Sequence, residues 1–276
     1  MNKKNIPLIC LIIVLLIAVV GLIVFLFRYT KEDEELKNLR GYIINSEEPH
    51  SRQLDEKEEN QVLKYYLIDG QIVQEKYKDL YMMNPDLIGW ITIPDTDIDY
   101  PVMYTPDDEE YYIHNSFEKK YSSSGTIFAA ADSSFHPTSD NILLYGHHMR
   151  IGTMFADLLE YENQEWFEKH KFIYFNTLYE DATYEVISAF RTSVGDEQEG
   201  DFLYYAFFDA EDESEYNNFI NNVKHLSVIS SNTSAVLGDG LLTLSTCAYH
   251  SSEGRFVVVA KRVDGIEVQE GVGLID

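Results

Sequence analysis

The chain has two cysteines in 276 residues; Cys10 sits in a long apolar run, and Cys247 ends the stretch "TLSTC" alone outside it. A single thiol cannot close an intramolecular disulfide, so it either pairs with another molecule or does chemistry. A thiol attacks as thiolate, which calls for a proton-transfer partner and a nearby cation.

Eight histidines could move that proton. His250 is nearest in sequence, but an offset of three in a continuing strand puts it on the opposite face from Cys247. His147 and His148 end the apolar stretch "NILLYGHH", where an imidazole can reach a cleft. Arg255 opens "RFVVVAKRV" after the seven residues "AYHSSEG", and a hairpin through them returns it to Cys247. A guanidinium there favours the thiolate and can hold an oxyanion.

Two other readings use the same residues. Cys247 and His250 with His147 or His148 could bind zinc, although no second cysteine pair and no H-E-x-x-H motif supports a zinc hydrolase. Alternatively, Cys247 is buried and silent in an anchored acidic β-domain that captures cationic wall components. No glycine-rich phosphate loop is present, so no cofactor is expected.

Such residues need a rigid frame. Eight segments have strand character: "GWITIP", "DIDYPVMY", "GTIFAAA", "NILLYGHH", "KFIYFN", "ATYEVISAF", "GLLTLSTC" and "RFVVVAKRV". They suggest a mainly β barrel or sandwich. In "GLLTLSTC", alternation puts Thr243, Ser245 and Cys247 on one face and Leu242, Leu244 and Thr246 on the other. Helical insertions are expected over residues 153–170 and 212–227, and a helix in "VQEKYKDLYMMNPDLIGW" should stop before Pro85.

Residues 6–27 are uncharged. At helical rise they cover about 33 Å, enough for a hydrocarbon layer of about 30 Å. "FRYTKEDEE" follows, without the small-residue site of a cleaved leader, so an uncleaved transmembrane anchor is expected. Residues 1–5 precede it, 28–72 read as a stalk of short helices, and 73–276 as the catalytic domain. Lys3 and Lys4 face Arg28 and Lys31 across the apolar run, so charge leaves the orientation open. Beyond residue 31 the chain holds 17 basic and 47 acidic side chains, a net of −30. That field repels phosphate backbones and argues against nucleic-acid partners.

With these residues in view, the chain resembles the sortases, membrane-anchored cysteine transpeptidases, and within them class B. "TLSTC" is similar to the family's nucleophile motif, "LLYGHHM" to its histidine segment and "GRFVVVAKR" to its arginine strand; "NPDLIGWITIPDTDIDYPVMY" and "GTMFADLLEY" also look class B. The resemblance implies an eight-stranded β-barrel with helical insertions, Cys247 as nucleophile, His147 rather than His148 as proton carrier, and Arg255 as the arginine. It also implies a cytoplasmic N-terminus, an extracellular catalytic domain on a Gram-positive type envelope, and secreted substrates with an Asn-Pro-x-Thr-x type sorting signal. The acceptor would be a peptidoglycan amine or a pilin lysine. By motif position, Ser245 and Ile113 would contact substrate. Two departures stand out: Ala248 where class B often has an acidic residue, and Glu109 where it often has asparagine.

Overall fold

The computed structural model describes residues 6–47, 64–68, 70–194, 202–247 and 254–265; the side chains of 6–11, 25, 28–29, 44–47, 247 and 264–265 lie outside that set. The chain divides into two units, Met1–Gln53 and Leu54–Asp276.

The first unit contains one helix, α1 (Ile6–Glu47), of 42 residues. The apolar run forms its first half, and where short helices were expected after residue 28 the helix continues without a break. Extending a formed helix fixes one residue per hydrogen bond, whereas a new helix must pay a nucleation cost. The sequence supports the extension with an acid four residues before a base, Asp33 and Lys37, paired at 2.5 Å. Among the described residues no helix is long and apolar enough to cross a membrane.

The second unit begins with another departure from the expected stalk. β1 (Tyr65–Ile68) and β2 (Gln71–Gln74) pair antiparallel, Ile68 opposite Gln71. The sequence between them is Asp-Gly, the pair that two-residue hairpins favour. A 3-10 turn (Glu75–Tyr77) and α2 (Lys78–Met83) follow, and Asn84 leaves the helix in extended conformation ahead of Pro85, as the residue before proline must.

The eight expected strands all form: β3 (Leu87–Thr92), β4 (Asp99–Met103), β5 (Ile127–Ala129), β6 (Asn141–Gly146), β7 (Phe172–Thr177), β8 (Ala182–Ser193), β9 (Leu241–Cys247) and β10 (Gly254–Gly265). They close into a barrel in the order β10-β8-β7-β3-β4-β5-β6-β9. A barrel leaves no open sheet edge. Only β4/β5 and β6/β9 run parallel; the other pairs are antiparallel.

β10 shows why this sequence folds so. Phe256 to Ala260 are all fully buried, because α4 (Glu213–Leu226) and its cluster cover the outer face as the barrel covers the inner one. Phe207, Phe219, Ile220 and Val223 pack there against Phe190 and Val257. Each such side chain contributes about 1.5–3 kcal/mol on burial. Asp212 caps α4 by accepting from the Glu215 amide, and Ser227 ends it, matching the expected insertion.

The other insertion is not one helix. Residues Ala156–Glu162 form a 3-10 helix, Asn163 turns extended, and α3 (Gln164–Lys169) starts anew with the Asn163 carboxamide accepting from the Glu165 and Trp166 amides. Asparagine satisfies free helix-start amides better than it extends a helix, and that preference breaks the segment.

Candidate active site

Three neighbouring strands deliver the three candidate residues. On β9 and β10, Cys247 and Arg255 are direct partners across the antiparallel ladder. On the other side of β9 the pairing is parallel, with Gly146 of β6 opposite Thr246. His147 therefore leaves β6 where Cys247 follows on β9. The side chain of Cys247 lies outside the described residues, so its placement rests on this backbone register.

His147 is held by its own loop. The Phe155 amide donates to the His147 carbonyl at 2.9 Å, and His148 bridges to Met154. Met154 takes φ 60°, unusual for a side chain of its size, and its amide donates to the buried Tyr100 hydroxyl at 3.0 Å. Gly146 makes the loop possible, because a Cβ there would stand 2.8 Å from Phe155 Cγ. The His147 ring meets Ile113: Nε2 and the Ile113 carbonyl are 2.8 Å apart. The His114 ring stacks on it at 5.8 Å between centroids.

These elements border a cleft of about 280 Å³ whose lining includes Glu109, Ile113, Tyr145, His147, Ser245 and Arg255. Both expected substrate contacts therefore line the cleft. The Ser245 hydroxyl, however, is buried and already bonded to the Tyr204 hydroxyl at 2.7 Å. Thr243, on the same strand face, donates to Asn141 Oδ1 at 2.8 Å and ties β9 to β6. Thr246 also lines the cleft, and its hydroxyl oxygen is buried with no hydrogen-bond partner among the described residues.

The cleft is electrically divided. Glu109 and Glu110 stand among its lining residues with Arg255 and His147. Glu109 accepts from the Ala131 amide at 3.2 Å, which fixes the carboxylate. Burial, reinforced by Tyr204 and Glu109 and opposed by Arg255, pushes the Tyr145 phenol above its ordinary value. Tyr145 is thus a neutral hydrogen-bond donor at neutral pH.

Tyr145, Tyr204 and Tyr205 are cleft residues that sequence reasoning did not single out. Tyr145 was readable, since it stands two positions before His147 on a recognised strand. Tyr204 and Tyr205 sit in a short 3-10 turn (Tyr204–Ala206) with no periodic signal. Of the residues named in the rival readings, His148 is not among those lining the cleft. Ala248 and His250 lie outside the described residues.

Comparison with known proteins places this arrangement. The sortase domain model matches residues 91–263. Sortase B of Staphylococcus aureus (strain NCTC 8325 / PS 47) is 34% identical over 191 residues, covering 68% of this chain and 75% of that protein. Sortase B of Listeria monocytogenes serovar 1/2a is 30% identical over 193 residues, covering 69% and 75%. Among solved structures, the Staphylococcus aureus sortase B–substrate complex superposes with a TM-score of 0.72 at 28% identity, covering 86% of this chain and 98% of that one. A sortase B complexed with triglycine gives 0.62 at 34% identity, covering 68% and 85%. With the eight-stranded barrel and the strand-borne cysteine and arginine, these matches make the chain a member of the sortase family, a class B cysteine transpeptidase of cell-wall sorting.

Proposed function

We propose that Cys247 is the nucleophile, His147 the proton carrier and Arg255 the oxyanion partner in cleavage of an Asn-Pro-x-Thr-x type signal on secreted proteins. The observation that carries this reading is the register of three adjacent strands, which pairs Arg255 with Cys247 and brings His147 alongside.

The Cys247 thiolate attacks the threonine carbonyl carbon, and the oxygen becomes an anion beside the Arg255 guanidinium. Collapse breaks the bond to the next residue, whose nitrogen leaves as an amine after taking a proton from His147. A thioester to Cys247 remains. An entering amine then gives a proton to His147 and attacks the thioester, and the thiolate leaves. The acceptor is a peptidoglycan amine or a pilin lysine; a sortase B structure complexed with triglycine supports a small amine at this stage. Ser245 and Ile113 contact the signal from the cleft wall, and Tyr145 offers its neutral hydroxyl to the same peptide.

Residues 6–27 anchor the enzyme in the membrane of a Gram-positive type envelope, with 1–5 cytoplasmic and the catalytic domain on the extracellular side. The 22 uncharged residues within the 42-residue α1 support that reading. It requires the full chain to resist carbonate extraction, and release by carbonate would refute it.

The catalytic reading is tested with the full chain in detergent micelles, a quenched fluorescent peptide containing Asn-Pro-Gln-Thr-Asn, and triglycine. Cleavage with a triglycine-joined product, lost in Cys247→Ala, is expected. Cleavage that survives Cys247→Ala would remove Cys247 from the mechanism.

A further inference from the structure

His147 Nε2 lies 2.8 Å from the Ile113 carbonyl oxygen. A carbonyl can only accept, so the hydrogen is on Nε2. We propose that the Ile113 main-chain carbonyl is a positioning group that holds His147 as the Nε2–H tautomer, leaving Nδ1 to exchange protons with the leaving and entering amines. The second half of this statement rests on the catalytic role of His147 argued above.

The carbonyl is built into a fixed place. Ile113 closes the 3-10 helix Glu109–Ile113. The neighbouring Tyr112 is fully buried, its hydroxyl donating to Asp86 and accepting from the Asn84 carboxamide, both at 2.8 Å. The Thr126 amide donates to the Tyr112 carbonyl at 2.9 Å.

Gly125 reinforces the arrangement. It takes φ +60° and passes so close that a Cβ would stand 2.5 Å from both the Ile113 and the Tyr112 carbonyl oxygens. Any other residue would displace the acceptor of His147. On the imidazole side, the Phe155 amide ties down the His147 carbonyl, and the His114 ring lies over one face of the His147 ring at an interplanar angle of 21°.

The opposite tautomer would set the Nε2 lone pair against the carbonyl lone pairs. Losing that hydrogen bond corresponds to a tautomer ratio of about tenfold or more in favour of Nε2–H. Ring inversion is opposed for the same reason. His147 then presents one defined nitrogen to both half-reactions, which a proton carrier serving a leaving and an entering amine requires.

The test uses the full chain in micelles, labelled with 15N-histidine and 13C′-isoleucine. Long-range 1H–15N spectra are recorded with the imidazoles neutral, and His147 is assigned by its loss in His147→Gln. The expected result is a pyrrole-type Nε2 and a pyridine-type Nδ1, more strongly biased than in the exposed His136, with a scalar coupling from Nε2 to the Ile113 carbonyl carbon. A protonated Nδ1, a ratio equal to that of His136, or no coupling overturns the proposal.

Gly125→Ala should move the His147 tautomer ratio toward that of His136 and lower kcat by about tenfold or more, with KM changed less than about twofold. An unchanged ratio and kcat would remove the carbonyl from its role. If the variant does not fold, the coupling in the unaltered chain still decides. The spectra need no turnover, so peptide cleavage that survives Cys247→Ala would sink only the catalytic use of Nδ1, with the tautomer judged separately.

Discussion

Arg255 and Cys247 face one another directly across the β9–β10 ladder. The pairing follows from hairpin register and tolerates no shift, since a slip of one residue turns every side chain of the strand to the other face.

Arg255→Lys keeps the charge but loses the planar, multi-donor group. In the peptide assay kcat should fall by about a hundredfold, as for loss of an oxyanion donor, with KM changed by less than about threefold. A variant with wild-type kcat would show that charge alone suffices and that Arg255 does not hold the oxyanion.

Tyr204 and Ser245 share a buried hydroxyl–hydroxyl bond of 2.7 Å. Tyr204→Phe and Ser245→Ala should each destabilise by about 1–3 kcal/mol, because each leaves a buried group without its partner. The double variant should cost less than the sum. A double-mutant cycle in urea reads the coupling, expected at about 1 kcal/mol; additive effects would mean that the bond contributes nothing.

Gly146→Ala places a methyl group against Phe155 and Ile127 at the foot of the His147 loop. Overpacking of this kind costs about 1–3 kcal/mol, and kcat should fall by more than about tenfold as His147 moves. Adding Phe155→Leu should recover part of the stability. A Gly146→Ala enzyme with native melting point and kcat would contradict the packing described.

Alkaline pH should unfold the domain cooperatively. Burial raises the phenols of Tyr112, Tyr145, Tyr161 and Tyr216, and that of Tyr184 to about 12. A raised acid binds its proton more tightly in the folded chain, so its contribution is complete below the unfolded value of about 10. It is lost as pH climbs through the folded value. Phenolate absorbance should therefore rise in two stages. The late stage belongs to the buried set and coincides with loss of the circular dichroism signal. A single early stage with the fold intact would contradict that burial.

All eight barrel strands were legible, because short β-branched and aromatic runs between turn residues carry their own signal. Strand ends were less so: β8 runs on to Ser193, past the expected "ATYEVISAF", because pairing with β10 down to Gly254 supplies the remaining hydrogen bonds. The insertion after His147 read as one helix since its apolar spacing is continuous; the capping preference of Asn163 overrode it. At the site, Cys247, His147 and Arg255 could be named from motif and spacing. Tyr204 could not, because its meaning lies in a bond to Ser245, 41 positions along the chain. Likewise nothing in "YYIHNS" announces that the Ile113 carbonyl faces an imidazole.

The parallel pairing of β6 with β9 joins segments far apart in sequence: Thr243 bonds Asn141 across 102 positions. Contacts of such separation bear a large loop-closure entropy and form late in folding. β9 and β10 are also the last two strands among the described residues. A chain emerging from its N-terminus therefore exposes His147 long before Cys247 and Arg255 exist beside it. Under the proposed roles of Cys247, His147 and Arg255, the trio is complete only once β9 and β10 have docked on β6 and β8, so a half-made molecule lacking those strands has nothing with which to cut its neighbours.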